Sequence, residues 1–144
     1  IADITDSYPV LFSQMGALGP ADSTTYYFGQ YPITPTGVEA THGFNIKYPF
    51  TLIGVMIAVG GNSTAGSTED STLQLRNITQ GTSTSIGTFK TNGSSTSIAT
   101  TSINGLNIPV AGTDTMCWQF DAAAFATNPV SMQMRLYSIW KRTS

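Results

Sequence analysis

The stretch "TLIGVMIAVGG", Thr51 to Gly61, holds Leu52, Ile53, Val55, Met56, Ile57 and Val59, apolar side chains on both faces of an extended chain. Alternate residues of a strand point to opposite sides, so a strand apolar on both sides needs a second layer of protein, supplied by another sheet or by another subunit. The run is too short to span a bilayer, and no membrane span is expected.

Outward from this run, short strand signals alternate with turn chemistry. Upstream, "TTYYFG" at Thr24 to Gly29 reads as a strand, and "YPITPTG" as an extended segment whose prolines deny it full ladder pairing. "HGFNIKYPF" alternates, with Phe44, Ile46 and Tyr48 on one face. Residues 1–20 have weak periodicity and end in "MGALGP", which suits an extended N-terminal arm or an edge segment of the kind that docks onto a neighbour. The start at Ile1 has no basic segment leading into an apolar run, so a signal peptide is expected to be absent or already removed.

Downstream, "TLQLRNI" places Leu73, Leu75 and Asn77 on one face and Thr72, Gln74 and Arg76 on the other, a half-buried strand. "GTSTSIGT" at Gly81 to Thr88 is then echoed by "GSSTSIAT" at Gly93 to Thr100. Asn92-Gly93 between them is a favoured type I′ pair, so the two halves are expected to form a hairpin anchored by Ile86, Phe89, Ile98 and Ile103. Met116, Trp118 and Phe120 alternate with Thr115, Cys117 and Gln119, while Met132, Met134, Leu136, Ser138 and Trp140 alternate with Gln133, Arg135, Tyr137 and Ile139. "DAAAFATNP" allows at most one helical turn, stopped by Pro129.

Composition agrees with this pattern. In 144 residues only 10% are charged, 40% are hydrophobic, and Ser and Thr supply roughly a quarter. Glu, Lys, Gln and Arg, which favour helix interiors, are scarce, whereas β-branched and aromatic residues are plentiful. The expectation is one all-β domain over residues 1–144, a jelly roll or β-sandwich of about eight antiparallel strands.

The search for chemistry is less productive. A net charge of -2 with scattered Lys and Arg offers no patch for phosphates, so nucleic acid is not an expected partner. His42 is the only histidine, with Glu39 as its nearby acid, and no nucleophile elbow accompanies it, so it reads as a surface or turn residue and no catalytic residue is assigned. Adjacent Glu69 and Asp70 read as solvated, since calcium needs more oxygen ligands than the loop supplies. No metal or cofactor is expected, and the lone Cys117 in "TMCWQF" reads as a small buried hydrophobe. Among the aromatics, Trp118 and Trp140 are candidates for core or subunit-interface packing, with Tyr26 and Tyr27 on opposite faces so that at most one is in the core.

The segments "STEDSTLQLRNITQGTSTSIGTF" and "NIPVAGTDTMCWQFDAAAFATNPVSMQMRLYSIW" resemble head-fibre and tail-fibre modules of tailed bacteriophages. In those a Ser/Thr-rich loop bearing an acid leads to an "LxLRN" strand, and a "GDT"-like turn, here "GTDT", leads to a closing pair of strands. The resemblance covers roughly Tyr26 to Trp140 and carries over no receptor-contacting residue. It implies a non-enzymatic virion-surface protein, a homotrimeric head-decoration or fibre module that assembles with capsid or tail proteins, stabilises the particle and attaches to host cell-surface glycan. A reading from another class stands beside it: a secreted carbohydrate-binding or adhesin domain presenting exposed aromatics.

Overall fold

The computed structural model describes residues 8–61, 66–92 and 98–143. Eight strands build it: β1 (Val10–Leu18), β2 (Thr25–Phe28), β3 (Phe50–Gly61), β4 (Ser71–Asn77), β5 (Thr82–Phe89), β6 (Ala99–Val110), β7 (Met116–Asp121) and β8 (Met132–Arg142). They form two four-stranded sheets of order β1-β8-β3-β6 and β2-β7-β4-β5, here called sheet A and sheet B. Every pairing is antiparallel. Among successive strands only β4 and β5 are hydrogen-bonded neighbours, and every other connection crosses between the sheets. Eight strands wound between two sheets in this way are a jelly roll, as composition and alternation lead one to expect.

Alternation explains the core. Leu52, Val55, Ile57 and Val59 of β3 and Met132, Met134, Leu136 and Trp140 of β8 face inward from sheet A. Leu73 and Leu75 of β4 and Met116, Trp118 and Phe120 of β7 meet them from sheet B. A register shift between Leu52 and Gly54, shared by both neighbours of β3, lets Leu52 and Val55 point to the same side. The second layer required by Thr51–Gly61 is therefore sheet B, on one face only. On the other face Met56 stays 39% exposed.

Three local expectations are corrected. The repeated halves do not form a hairpin with each other: β5 pairs with the preceding strand β4 in sheet B and β6 with β3 in sheet A, so the two repeats lie in different sheets. Ile86 and Phe89 are buried and Ile103 packs on the core, but Ile98, just ahead of β6, is 62% exposed and anchors nothing. The Gly93 half of the expected turn lies outside the described residues. In "HGFNIKYPF" Phe44 makes an isolated bridge to Met116, and no ladder forms before Phe50, the first residue of β3. The Asn45 side chain accepts from Lys47 N–H and Ile46 C=O from Tyr48 N–H, so local turns replace a ladder. "DAAAFATNP", allowed at most one helical turn, has none, since the N–H groups of Phe125 and Ala126 are taken by the distant carboxylates of Asp22 and Glu69. A 3₁₀ turn lies instead at Glu39–His42.

Residues 10–18 of the proposed arm are the edge strand β1 of sheet A. Residues 1–7 lie outside the described ones.

Candidate functional site

A jelly roll has two outer faces, and here they differ in chemistry. On the outside of sheet B a polar lattice covers β2, β4, β5 and β7. The Asp121 carboxylate accepts from Thr25 Oγ1 at 2.8 Å, from Gln119 Nε2 at 3.0 Å and from Gln74 Nε2. Gln119 Oε1 accepts from Ser83 Oγ at 2.7 Å, and Ser83 Oγ accepts from Arg76 Nη1 at 3.3 Å. Arg76 also pairs with Glu39, which fastens the 3₁₀ turn over the sheet and holds the guanidinium pKa above its usual range. Tyr27, on this outward side of β2, has its hydroxyl pKa raised, chiefly by burial.

The outside of sheet A is different. The four strands of this sheet contain no carboxylate, and their only charged residues are Arg135, Lys141 and Arg142 of β8. Arg135 forms no ion pair among the described residues; the pairs there are Arg76–Glu39 and Lys90–Asp70. Outward side chains make a groove of about 630 Å³ across β3, β6 and β8, with Met56, Ala58, Ile98 and Tyr137 as apolar wall and Gln133 and Arg135 as polar rim. Beside it the Phe12 and Tyr137 rings lie 5.3 Å apart across β1 and β8, and Val10 is 60% exposed.

The residues searched for chemistry are held apart from one another. His42 is a turn residue, the last of the 3₁₀ turn, but buried and not at the surface; its Nε2 lies 3.1 Å from Thr36 Oγ1, and burial lowers its pKa. Its sequence neighbour Glu39 is committed to Arg76. Glu69 accepts from Ala126 N–H, a bond that lowers its pKa, while Asp70 pairs with Lys90, so the two adjacent acids face different partners. Cys117 is fully buried on β7 opposite Arg76, and burial pushes its thiol pKa up to about 12. No group of three or more His, Cys, Asp or Glu side chains suited to a metal occurs among the described residues.

Trp118 and Trp140 both lie in the core, each with its indole N–H satisfied, by Ser13 Oγ at 2.9 Å and by Ser138 Oγ at 2.8 Å. Tyr26 packs against the core beside Phe120, with ring centroids 6.0 Å apart, while Tyr27 faces outward. The exposed aromatic rings are instead Tyr8, Phe12, Tyr31 and Tyr48, with the half-buried Tyr137 beside Phe12. Tyr137 was legible as the outward partner of the Met132–Trp140 alternation. Phe12 was not, because the weak periodicity of residues 1–20 hides a strand.

No family model matches this sequence, and no curated protein sequence matches it. Solved structures do resemble it. A chain of the Cyanophage Pam1 capsid asymmetric unit superposes with a TM-score of 0.51 at 12% identity, covering 92% of this chain and 83% of that one. A chain of the Macrobrachium rosenbergii extra small virus VLP, from the giant freshwater prawn, gives a TM-score of 0.35 at 14% identity, over 96% of this chain and 80% of the other. At 12% identity the first likeness is one of fold: this chain has the jelly roll of a chain from a viral capsid.

Proposed function

We propose that this chain is a non-enzymatic structural component of a bacteriophage virion, a surface decoration or fibre module that works by packing against copies of itself and against capsid or tail proteins. The observation that carries the reading is the outer face of sheet A. It is free of carboxylates and open over the Met56–Tyr137 groove, whose apolar wall is rimmed by Gln133 and Arg135, although no buried side-chain polar atom among the described residues lacks a partner. Exposed apolar patches rimmed by polar groups mark interaction sites. The fold likeness to a phage capsid chain favours a shell or fibre over a free-standing binding module. The expected assembly is a homotrimer joined through this face, on the outside of the particle, with attachment to host glycan as its second role.

The test is to purify particles of the source virus, identify their proteins by mass spectrometry, and label intact particles with an antibody raised to this chain. The chain should be present in stoichiometric amount and reachable by the antibody. Its absence from purified particles, together with glycan binding by a stable monomer, overturns the proposal in favour of a secreted carbohydrate-binding domain.

A further inference from the structure

Edge strands expose a row of unpaired N–H and C=O groups, and natural sheets blunt them with short length, Pro, charge, bulges or covering segments. Three of the four edges here carry such a device. β2 has four residues and is bridged by Thr36. β5 has a register shift that isolates Ile86, and β6 contains Pro109 and Gly105, whose φ of 72° breaks the regular pleat. β1 is guarded only at its far end, where the Gly16 N–H donates to Ile33 C=O at 2.8 Å. Between Val10 and Met15 it has no charge, no Pro and no bulge.

The register tells which groups are free. Trp140 N–H donates to Pro9 C=O, so with Val10 opposite Ile139 the bonds to β8 come from Leu11, Ser13 and Met15. In an antiparallel ladder the alternate residues turn their N–H and C=O the other way. These are Val10, Phe12 and Gln14, whose backbone groups at the free edge have no partner among the described residues. Gly16, next in the same series, shows by its bond to Ile33 that this side of β1 does accept a partner.

We propose that β1 is a homotypic strand-pairing site whose occupant is β1 of a second copy, joined antiparallel about a twofold axis through Phe12. The set of free groups is complementary to itself. With Phe12 opposite Phe12 and Val10 opposite Gln14, each pair exchanges both N–H···O bonds, and the two four-stranded sheets A become one continuous sheet. The side chains favour the same partner. Val10 and Phe12 stand on the outer face, 60% and 38% exposed, and would cover one another, while a strand without charge meets its own copy with no repulsion. The contact lies at the rim of sheet A and leaves the groove of β3, β6 and β8 open, so it is additional to the face contact proposed above and does not depend on it.

Sedimentation of the whole chain at micromolar concentration should give an even multiple of the 15.3 kDa chain mass. Phe12→Pro removes an N–H that faces only the free edge and takes no bond from β8; it should halve that mass while the cooperative unfolding transition is retained. Phe12→Lys, which sets like charges opposite each other at the twofold, should do the same and show the Val10, Phe12 and Gln14 amides exchanging faster than in the wild type. A wild-type mass equal to one or three chains, or wild-type mass kept by either folded variant, overturns the proposal. A trimer that ignores both variants would leave the face contact standing alone, and a dimer that both variants split would leave the edge contact standing alone.

Discussion

Ser13 and Trp118 are joined across the interior, β1 of sheet A to β7 of sheet B, by an indole N–H donating to a hydroxyl at 2.9 Å. Both residues are 0% exposed, so neither group has water as an alternative. Ser13→Ala removes the acceptor and leaves the buried indole N–H unsatisfied, a loss of about 1–3 kcal/mol. Denaturant unfolding followed by tryptophan fluorescence should show that loss as a lower midpoint at unchanged slope. A cost near zero would mean that the indole finds another acceptor. Alternation showed that Trp118 points inward, but which hydroxyl would answer it depends on β1 lying over β7, a placement set by pairings more than a hundred residues apart in the chain.

At the scale of elements, repetition in sequence misleads about pairing. "GTSTSIGT" and "GSSTSIAT" have the same pattern, and a local turn between them is the simplest way to pair them. Each pairs elsewhere instead: β5 closes a local hairpin with the preceding β4, whose Leu73 and Leu75 fix the register, while β6 returns to the distant β3. The consequence is that two isoleucines in matching positions of the repeat differ in cost. Ile86→Ser removes a side chain that is 7% exposed and should cost about 2–5 kcal/mol, in the range of large-to-small core changes. Ile98→Ser acts on a side chain 62% exposed and should stay within about 0.5 kcal/mol. Chemical denaturation of the two variants checks the pair, and equal losses would restore the hairpin. The amphipathic strands β4, β7 and β8 were legible because one face of each is core. Residues 43–48 also alternate, yet Asn45 and the 70° φ of Lys47 turn the chain before a ladder forms.

For the whole molecule, fold class was readable from composition and alternation because both report burial, and burial is what a two-layer fold imposes on every strand. The candidate site was less readable, since an outer face is defined by what is not covered, and the residues that frame it, Phe12, Met56, Ile98 and Tyr137, come from three strands and the residue just ahead of a fourth. The same distribution fixes how self-association should respond to salt. Exposed charge pairs weaken once the screening length falls below their separation, whereas apolar burial and main-chain bonding do not. β1 carries no charge and sheet A no carboxylate, so a contact made by either surface between copies of this chain pairs no opposite charges within sheet A. The oligomer mass measured by light scattering should therefore be the same at low and at high sodium chloride. Dissociation as salt rises would instead place Arg135, Lys141 or Arg142 against acids of a neighbour's sheet B or loops, and would make the contact one between unlike surfaces.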